Sequence, residues 1–203
     1  MNKAMELKKG IPVRFGLISG VVFGGPFRNY VPGTRRLVGV KMAQEIEHPH
    51  DFKVDTRDFS VPSQAAMQAG IMFAISNLYK GYDVYAGCMG GIGRTGLFMA
   101  CMAKVQHDYF ASVGEAPPRP VPPVAYVRAH YIPHAVETDE QQDFVADFDT
   151  GPAVRALGTM NKALSGQVEV RTVESVVVNE VERVVYLGPV SWLIHSARKM
   201  FKK

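Results

Sequence analysis

Apolar positions recur at helical spacing between residues 64 and 79, where Ala66, Met67, Ile71, Met72, Ile75 and Leu78 would share one face. That spacing predicts an amphipathic helix. Upstream, Pro12–Ile18, Val21–Phe23 and Arg35–Val40 are short runs of strand-forming residues, with a Gly/Pro-rich turn between the second and third that ends at Gly33. Tyr82–Ala86 is apolar and aromatic and suits a buried strand, and the good helix formers of Leu97–Val105 predict a helix soon after it. Prolines crowd Glu115–Pro123, which is therefore a connector and not a helix interior. Pro122–Tyr131 and Thr138–Asp147 read as two more helices. Alternating strands and helices predict an α/β fold with a largely parallel central sheet.

The C-terminal quarter follows a different pattern. Val168–Val178 and Val181–Leu187 are valine-rich with interspersed charges and read as a β-hairpin, and Val190–Phe201 reads as a helix ending in Arg198, Lys199, Lys202 and Lys203. The expected organisation is a catalytic-type domain over residues 1–150 and an extension over 151–203 packed on it. The favoured role of that last helix is packing, with its lysines at the favourable C-terminal end of the dipole. Contact with an anionic membrane surface is the less favoured reading.

Composition adds bounds. Hydrophobic residues make up 47% of the 203, enough for a proper core, and no stretch reaches the roughly eighteen apolar residues of a membrane span. No secretion signal is read at the N-terminus. Two cysteines, Cys88 and Cys101, do not make a disulfide framework, and a working thiol suits a reducing cytoplasm. Cys101, within Phe98–Met102, reads as a small buried hydrophobe. The net charge of +4 favours acidic substrates in a general way but does not by itself imply nucleic acid. The only tight histidine group, His48-Pro49-His50-Asp51, reads as a loop and not as a metal site.

The informative segment is Cys88-Met89-Gly90-Gly91-Ile92-Gly93-Arg94-Thr95-Gly96, lying between the predicted strand and helix. A strand–tight loop–helix places loop N–H groups and a helix N-terminus around one point, which suits an anion. The same donors and a nearby arginine favour the thiolate, the only nucleophilic form of cysteine. Arg94 can grip two phosphoryl oxygens with its planar fork. The glycines let the backbone turn and approach the anion. The Thr95 hydroxyl is within reach of the sulfur.

Cys-x-x-Gly-x-x-Arg-Thr-Gly resembles the phosphate-binding loop of the protein tyrosine phosphatase superfamily, including its dual-specificity branch. The resemblance implies that fold: a mostly parallel sheet flanked by helices, here with the C-terminal hairpin and helix appended. It implies Cys88 as the nucleophile that forms a phosphocysteine, Arg94 as the phosphate and transition-state ligand, and Thr95 as the hydroxyl that eases departure of sulfur. Backbone groups of Met89, Gly90, Gly91, Ile92 and Gly93 would share the phosphate with Arg94. Thr56-Arg57-Asp58-Phe59-Ser60-Val61-Pro62 is similar to the family's acid loop, with Asp58 in place of the general acid that returns as base toward water. Asp51 and Asp55 compete for that place, and Asp58 could instead cap the helix that follows. Val136-Glu137-Thr138-Asp139-Glu140-Gln141 is similar to the family's water-positioning segment. Gln141 matches, Glu137 replaces the first glutamine, and Thr138 with Gln141 also makes a capping box.

Departures accompany the resemblance. Gly87 stands where histidine usually precedes the cysteine, and a looser loop is expected there. Thr56 and Arg57 replace Trp and Pro, and Ser60 replaces Gly. The implied function is a cysteine-dependent phosphomonoesterase, with no cofactor and no metal, acting on phosphorylated protein and first of all on phosphotyrosine. The alternatives are an RNA 5′-phosphatase of the same superfamily and a binding module that holds phosphorylated partners without turnover.

Overall fold

A computed structural model describes residues 9–33, 36–118 and 120–166. The elements in chain order are β1 (Gly10–Phe15), β2 (Ile18–Pro26), a 3₁₀ turn (Phe27–Asn29), β3 (Leu37–Ala43), β4 (Phe52–Thr56), α1 (Gln64–Tyr79), β5 (Asp83–Cys88), α2 (Gly93–Ser112), α3 (Pro123–His130), α4 (Asp139–Asp147) and α5 (Gly151–Leu164). This is a mixed α/β fold with a central five-stranded sheet of order β1-β2-β5-β3-β4 flanked by helices. Only the β1–β2 pair is antiparallel.

The expected elements are largely present, with specific corrections. The chain turns at Gly16, which has a φ of 64°, so the strand expected over 12–18 is divided between β1 and β2. The second strand runs on to Pro26, because its last residues pair with β5 as far as Cys88. β4 has no counterpart in the sequence reading. Its five residues alternate buried and exposed over too short a span to stand out. The helix after the loop begins at Gly93, four residues earlier than expected, and runs to Ser112. α5 falls beyond the boundary expected at residue 150. It packs on α1 and α2 and buries Ala153 and Leu157. Residues 151–164 therefore belong to the same compact unit as the sheet. The hairpin and helix expected over 168–201 lie outside the described residues. Among the described residues, no helix is long and apolar enough to cross a membrane.

β5 was inserted between strands that precede it in the chain. β2 and β3 leave a central slot, and β5 fills it with parallel pairing on both sides. Its Val84, Ala86 and Cys88 join one apolar cluster with Val22, Val38 and Val40 of the neighbouring strands and with all five helices. Each large side chain buried there contributes about 1.5–3 kcal/mol. The alternate residue, Tyr85, faces a second cluster with Phe27, Tyr30 and Leu37. Tyr30 stacks on Tyr85 with ring centroids 5.8 Å apart. Its hydroxyl donates to Asp51, which also accepts from the Gly39 N–H at 2.7 Å. His48 Nε2 lies 2.6 Å from the Tyr30 carbonyl oxygen. The His48–Asp51 segment is thus a structural clasp on this face.

Gly87 is where the sequence suggested looseness, and the packing corrects that expectation. A Cβ at Gly87 would stand 2.8 Å from the Gly25 carbonyl oxygen and 2.9 Å from Phe27 Cα. Phe27 takes the space a side chain would need, and strands pair with Gly87 on both sides. The position is tight because it is empty. Gly87→Ala should therefore lower stability by about 1–3 kcal/mol, as overpacking does. The check is a urea midpoint that falls at constant slope; an unchanged midpoint shows that Phe27 yields.

Candidate active site

β5 ends at Cys88 in the middle of the sheet, and α2 begins five residues later. The intervening loop folds back against β2. Gly91 carries a φ of 75°, and a Cβ there would lie 2.3 Å from the Gly25 carbonyl carbon, so only glycine makes this turn in this place. The buried Tyr131 hydroxyl donates to the Gly91 carbonyl oxygen. No side chain caps the N-terminus of α2, which leaves its first N–H groups to the loop and to whatever the loop holds.

Cys88 is buried at the base of a cleft of about 160 Å³ lined by Asp58, Phe59, Met89, Gly90, Ile92, Gly93, Arg94, Glu137 and Gln141. Its Sγ accepts from the Gly91 N–H at 3.3 Å and from the Thr95 hydroxyl at 3.3 Å. The Thr95 oxygen in turn accepts from the Cys88 N–H at 2.9 Å. The hydroxyl thus locks the two ends of the loop together and touches sulfur. Burial first, and the neighbouring Cys88 second, push Tyr85 up to about 12 and also raise Tyr131.

The Arg94 side chain is buried, with 2% of it exposed. Nη1 donates to Glu45 Oε2 and to the Thr56 carbonyl oxygen, both at 2.9 Å, and Nη2 donates to Glu45 Oε1 at 2.7 Å. Nη2 also lies 2.8 Å from Asp58 Oδ1. A guanidinium has five N–H donors. The bidentate Glu45 pair and Thr56 take three of them and fix the plane. Nε–H and the Nη2–H beside Asp58 remain for an anion over Cys88. Burial works against the Arg94 charge, but Glu45, Cys88 and Asp58 outweigh it and hold its pKa above the usual arginine value. Reciprocally, the Arg94 hydrogen bonds hold the Glu45 carboxyl below the usual carboxylate range, against a smaller opposing effect of burial.

Glu45 was not found in the sequence. It follows β3 by two residues and carries no local signal. It reaches the site only because β3 lies beside β5, with both strands ending on the same side. Lys41, buried in β3, donates from Nζ to the Ile46 carbonyl oxygen at 2.7 Å and closes the loop that presents Glu45. Tyr131 was also missed.

The acid-loop candidates separate cleanly. Asp51 is tied to Tyr30 and Gly39, and Asp55 pairs with Lys53 at 2.9 Å on the surface. Asp58 alone of the three lines the cleft. The cap of α1 is Ser63, which accepts from the Ala66 N–H at 3.1 Å, and not Asp58.

Gln141 is fully buried beneath the cleft. Its N–H donates to the capping Thr138 hydroxyl at 3.2 Å, as the capping box requires. Its side-chain Oε1 accepts from the Glu137 N–H at 2.9 Å, and Nε2 donates to the Ser60 carbonyl oxygen at 3.3 Å. Gln141 thus ties α4 to the acid loop. Cys101 is wholly buried on α2, and burial pushes its thiol well up, as suits a core residue. Among the described residues no group of three or more His, Cys, Asp or Glu side chains could hold a metal ion.

No protein-family model matches the chain. An uncharacterized protein of Methanocaldococcus jannaschii, MJECL20, is 31% identical over 106 residues, which are 51% of this chain and 64% of that protein. The match thus spans less than two thirds of the relative's length. Among solved structures, Tk-PTP in its active form aligns with a TM-score of 0.43 and 23% identity, over 55% of this chain and 76% of its own. PTPMT1 aligns with a TM-score of 0.48 and 16% identity, over 74% of this chain and all of its own. The resemblance of this chain to the tyrosine phosphatase superfamily is carried by its own loop, in which the motif from Cys88 to Gly96 is folded as strand, cradle and helix.

Proposed function

We propose that this protein is a cysteine-dependent phosphomonoesterase of the tyrosine phosphatase superfamily. The observation that carries the reading is the placement of the Cys88 sulfur. It sits at the base of a cleft, hydrogen-bonded by a loop N–H and by Thr95, with Arg94 and Asp58 on the same walls. In the first step Cys88 attacks phosphorus in line. The loop amides from Met89 to Gly93 and the two remaining Arg94 donors hold the non-bridging oxygens, and Asp58 swings from Arg94 to protonate the leaving oxygen. In the second step water cleaves the phosphocysteine, and the Thr95 hydroxyl stabilises the departing thiolate. Dividing one displacement into two lowers each barrier.

The rim supports phosphotyrosine as the substrate. Phe59 and Met89 flank the opening and are 60% and 46% exposed. Two apolar side chains at the mouth of an anion cradle suit an aryl ring. Among the described residues, Arg94 is the only basic one lining the cleft, and recognition of RNA leans on several cations along its backbone. A panel of phosphotyrosine peptide, phosphoserine peptide and 5′-phosphorylated RNA ranks these substrates.

Cys88→Ser should abolish hydrolysis of p-nitrophenyl phosphate while phosphate binding persists. Hydrolysis that survives the substitution rules out the thiol mechanism. Asp58→Asn should lower kcat about 100-fold or more, within the range for loss of a general acid, with a smaller change in KM; an unchanged kcat reassigns the acid. Glu45→Gln removes the anionic partner of a buried guanidinium and should lower stability by about 1–3 kcal/mol at neutral pH. The Glu45 carboxyl is held low in the folded state, so its contribution is full above its unfolded value and is lost as pH falls through the folded one. The stability gap between wild type and Glu45→Gln should therefore close as pH drops below the ordinary carboxylate range. Denaturation midpoints across pH check this, and a gap that widens in acid contradicts the assignment.

A further inference from the structure

Glu137 occupies a position that the fold goes to some lengths to create. The residue before it, Val136, is buried with a φ of 60°. A β-branched residue in the left-handed region is strained, and such strain persists only where its surroundings impose it. Those surroundings are visible here. Arg128 donates from Nε to the Ala135 carbonyl oxygen at 3.0 Å and from Nη2 to that of Val136 at 2.9 Å. Below, the segment rests on Gly96, where a Cβ would lie 2.7 Å from Ala135 Cβ and 2.8 Å from Val136 N. On the far side Gln141 accepts the Glu137 N–H. The result is a carboxylate laid over the first residue of α2. A Cβ on Gly93 would stand 2.2 Å from Glu137 Oε2.

That carboxylate lines the same cleft as Cys88 and Asp58. The two acids differ in their partners. Asp58 lies 2.8 Å from Arg94 Nη2. Glu137 has no cation within ion-pair distance and no hydrogen bond to its carboxylate among the described residues. Gln141 cannot replace it as acceptor, because its side-chain oxygen is already engaged by the Glu137 N–H and an amide does not take up a proton.

Resting on the phosphatase reading above, we propose that Glu137 is the catalytic base of the second half-reaction, leaving Asp58 as the acid of the first. A water held between Glu137 and the phosphocysteine attacks phosphorus. The new O–P bond forms as the S–P bond breaks, the electron pair of that bond stays on sulfur as the Cys88 thiolate, and the proton lost by water passes to a Glu137 oxygen. Inorganic phosphate leaves, and Glu137 returns its proton to solvent. A glutamine at this position could only orient the water, whereas the carboxylate deprotonates it.

Rapid mixing of the full chain with p-nitrophenyl phosphate separates the two steps. In Glu137→Gln, p-nitrophenol should appear in a burst of about one equivalent at the wild-type rate, followed by a steady state slowed about 100-fold or more. Acid quenching should trap phosphorylated Cys88. Asp58→Asn should slow the burst itself and trap none. Glu137→Asp, which keeps a carboxylate, should recover part of the lost steady-state rate, and vanadate affinity reports whether each variant retains an intact cradle. The proposal is overturned if Glu137→Gln turns over within about twofold of wild type. It is equally overturned if burst and steady state fall together while vanadate still binds, or if phosphoenzyme accumulates in Asp58→Asn instead. Should Glu137→Gln lose vanadate binding, Glu137→Asp with its cradle intact decides by the same criteria. Absence of Cys88-dependent turnover in the wild type would be a failure of the phosphatase reading, seen before any Glu137 variant is measured.

Discussion

The bidentate pairing of Arg94 with Glu45 organises the site. A guanidinium so deeply buried must be compensated or its charge is prohibitively costly. Compensation comes from two strand ends: Glu45 follows β3, and the Thr56 carbonyl closes β4. The first turn of α2 is thereby bolted to the edge half of the sheet. With three donors fixed, the remaining two have only one direction to point. What Arg94 can offer a ligand is what the fold has left unused.

The glycines of the loop make room for neighbouring segments. Gly91 lets the loop fold onto β2, Gly93 leaves room for the Glu137 carboxylate, and Gly96 seats the Ala135–Val136 backbone. Each gap is filled by a segment remote in sequence, so loop, acid loop and the α3–α4 connection form one interlocked unit. Gln141 completes it by joining Glu137 to Ser60. Gly87 follows the same logic from the other side of the strand, where Phe27 enters the space a side chain would fill.

Much of this was legible in the chain. The strand–loop–helix around Cys88 and the roles open to Cys88, Arg94 and Thr95 follow from residue type and local spacing, because a tight loop brings together groups only a few residues apart. The helix over 64–79 and the Thr138 cap were legible for the same reason. Asp58 was legible as one of three acids, and the fold chose among them by tying Asp51 to Tyr30 and leaving Asp55 on the surface.

What depends on strand order was not legible. Glu45 lies 49 residues from Arg94, and only the placement of β5 between β2 and β3 brings their ends together. The same holds for Tyr131 on Gly91, for Phe27 over Gly87 and for α5 against α1 and α2. Sequence alone determined which groups meet in a nine-residue loop, since covalent proximity enforces it. Tertiary structure decided which distant carboxylates face that loop and which carry a cation, since partners so far apart along the chain meet only when the sheet closes around its central strand.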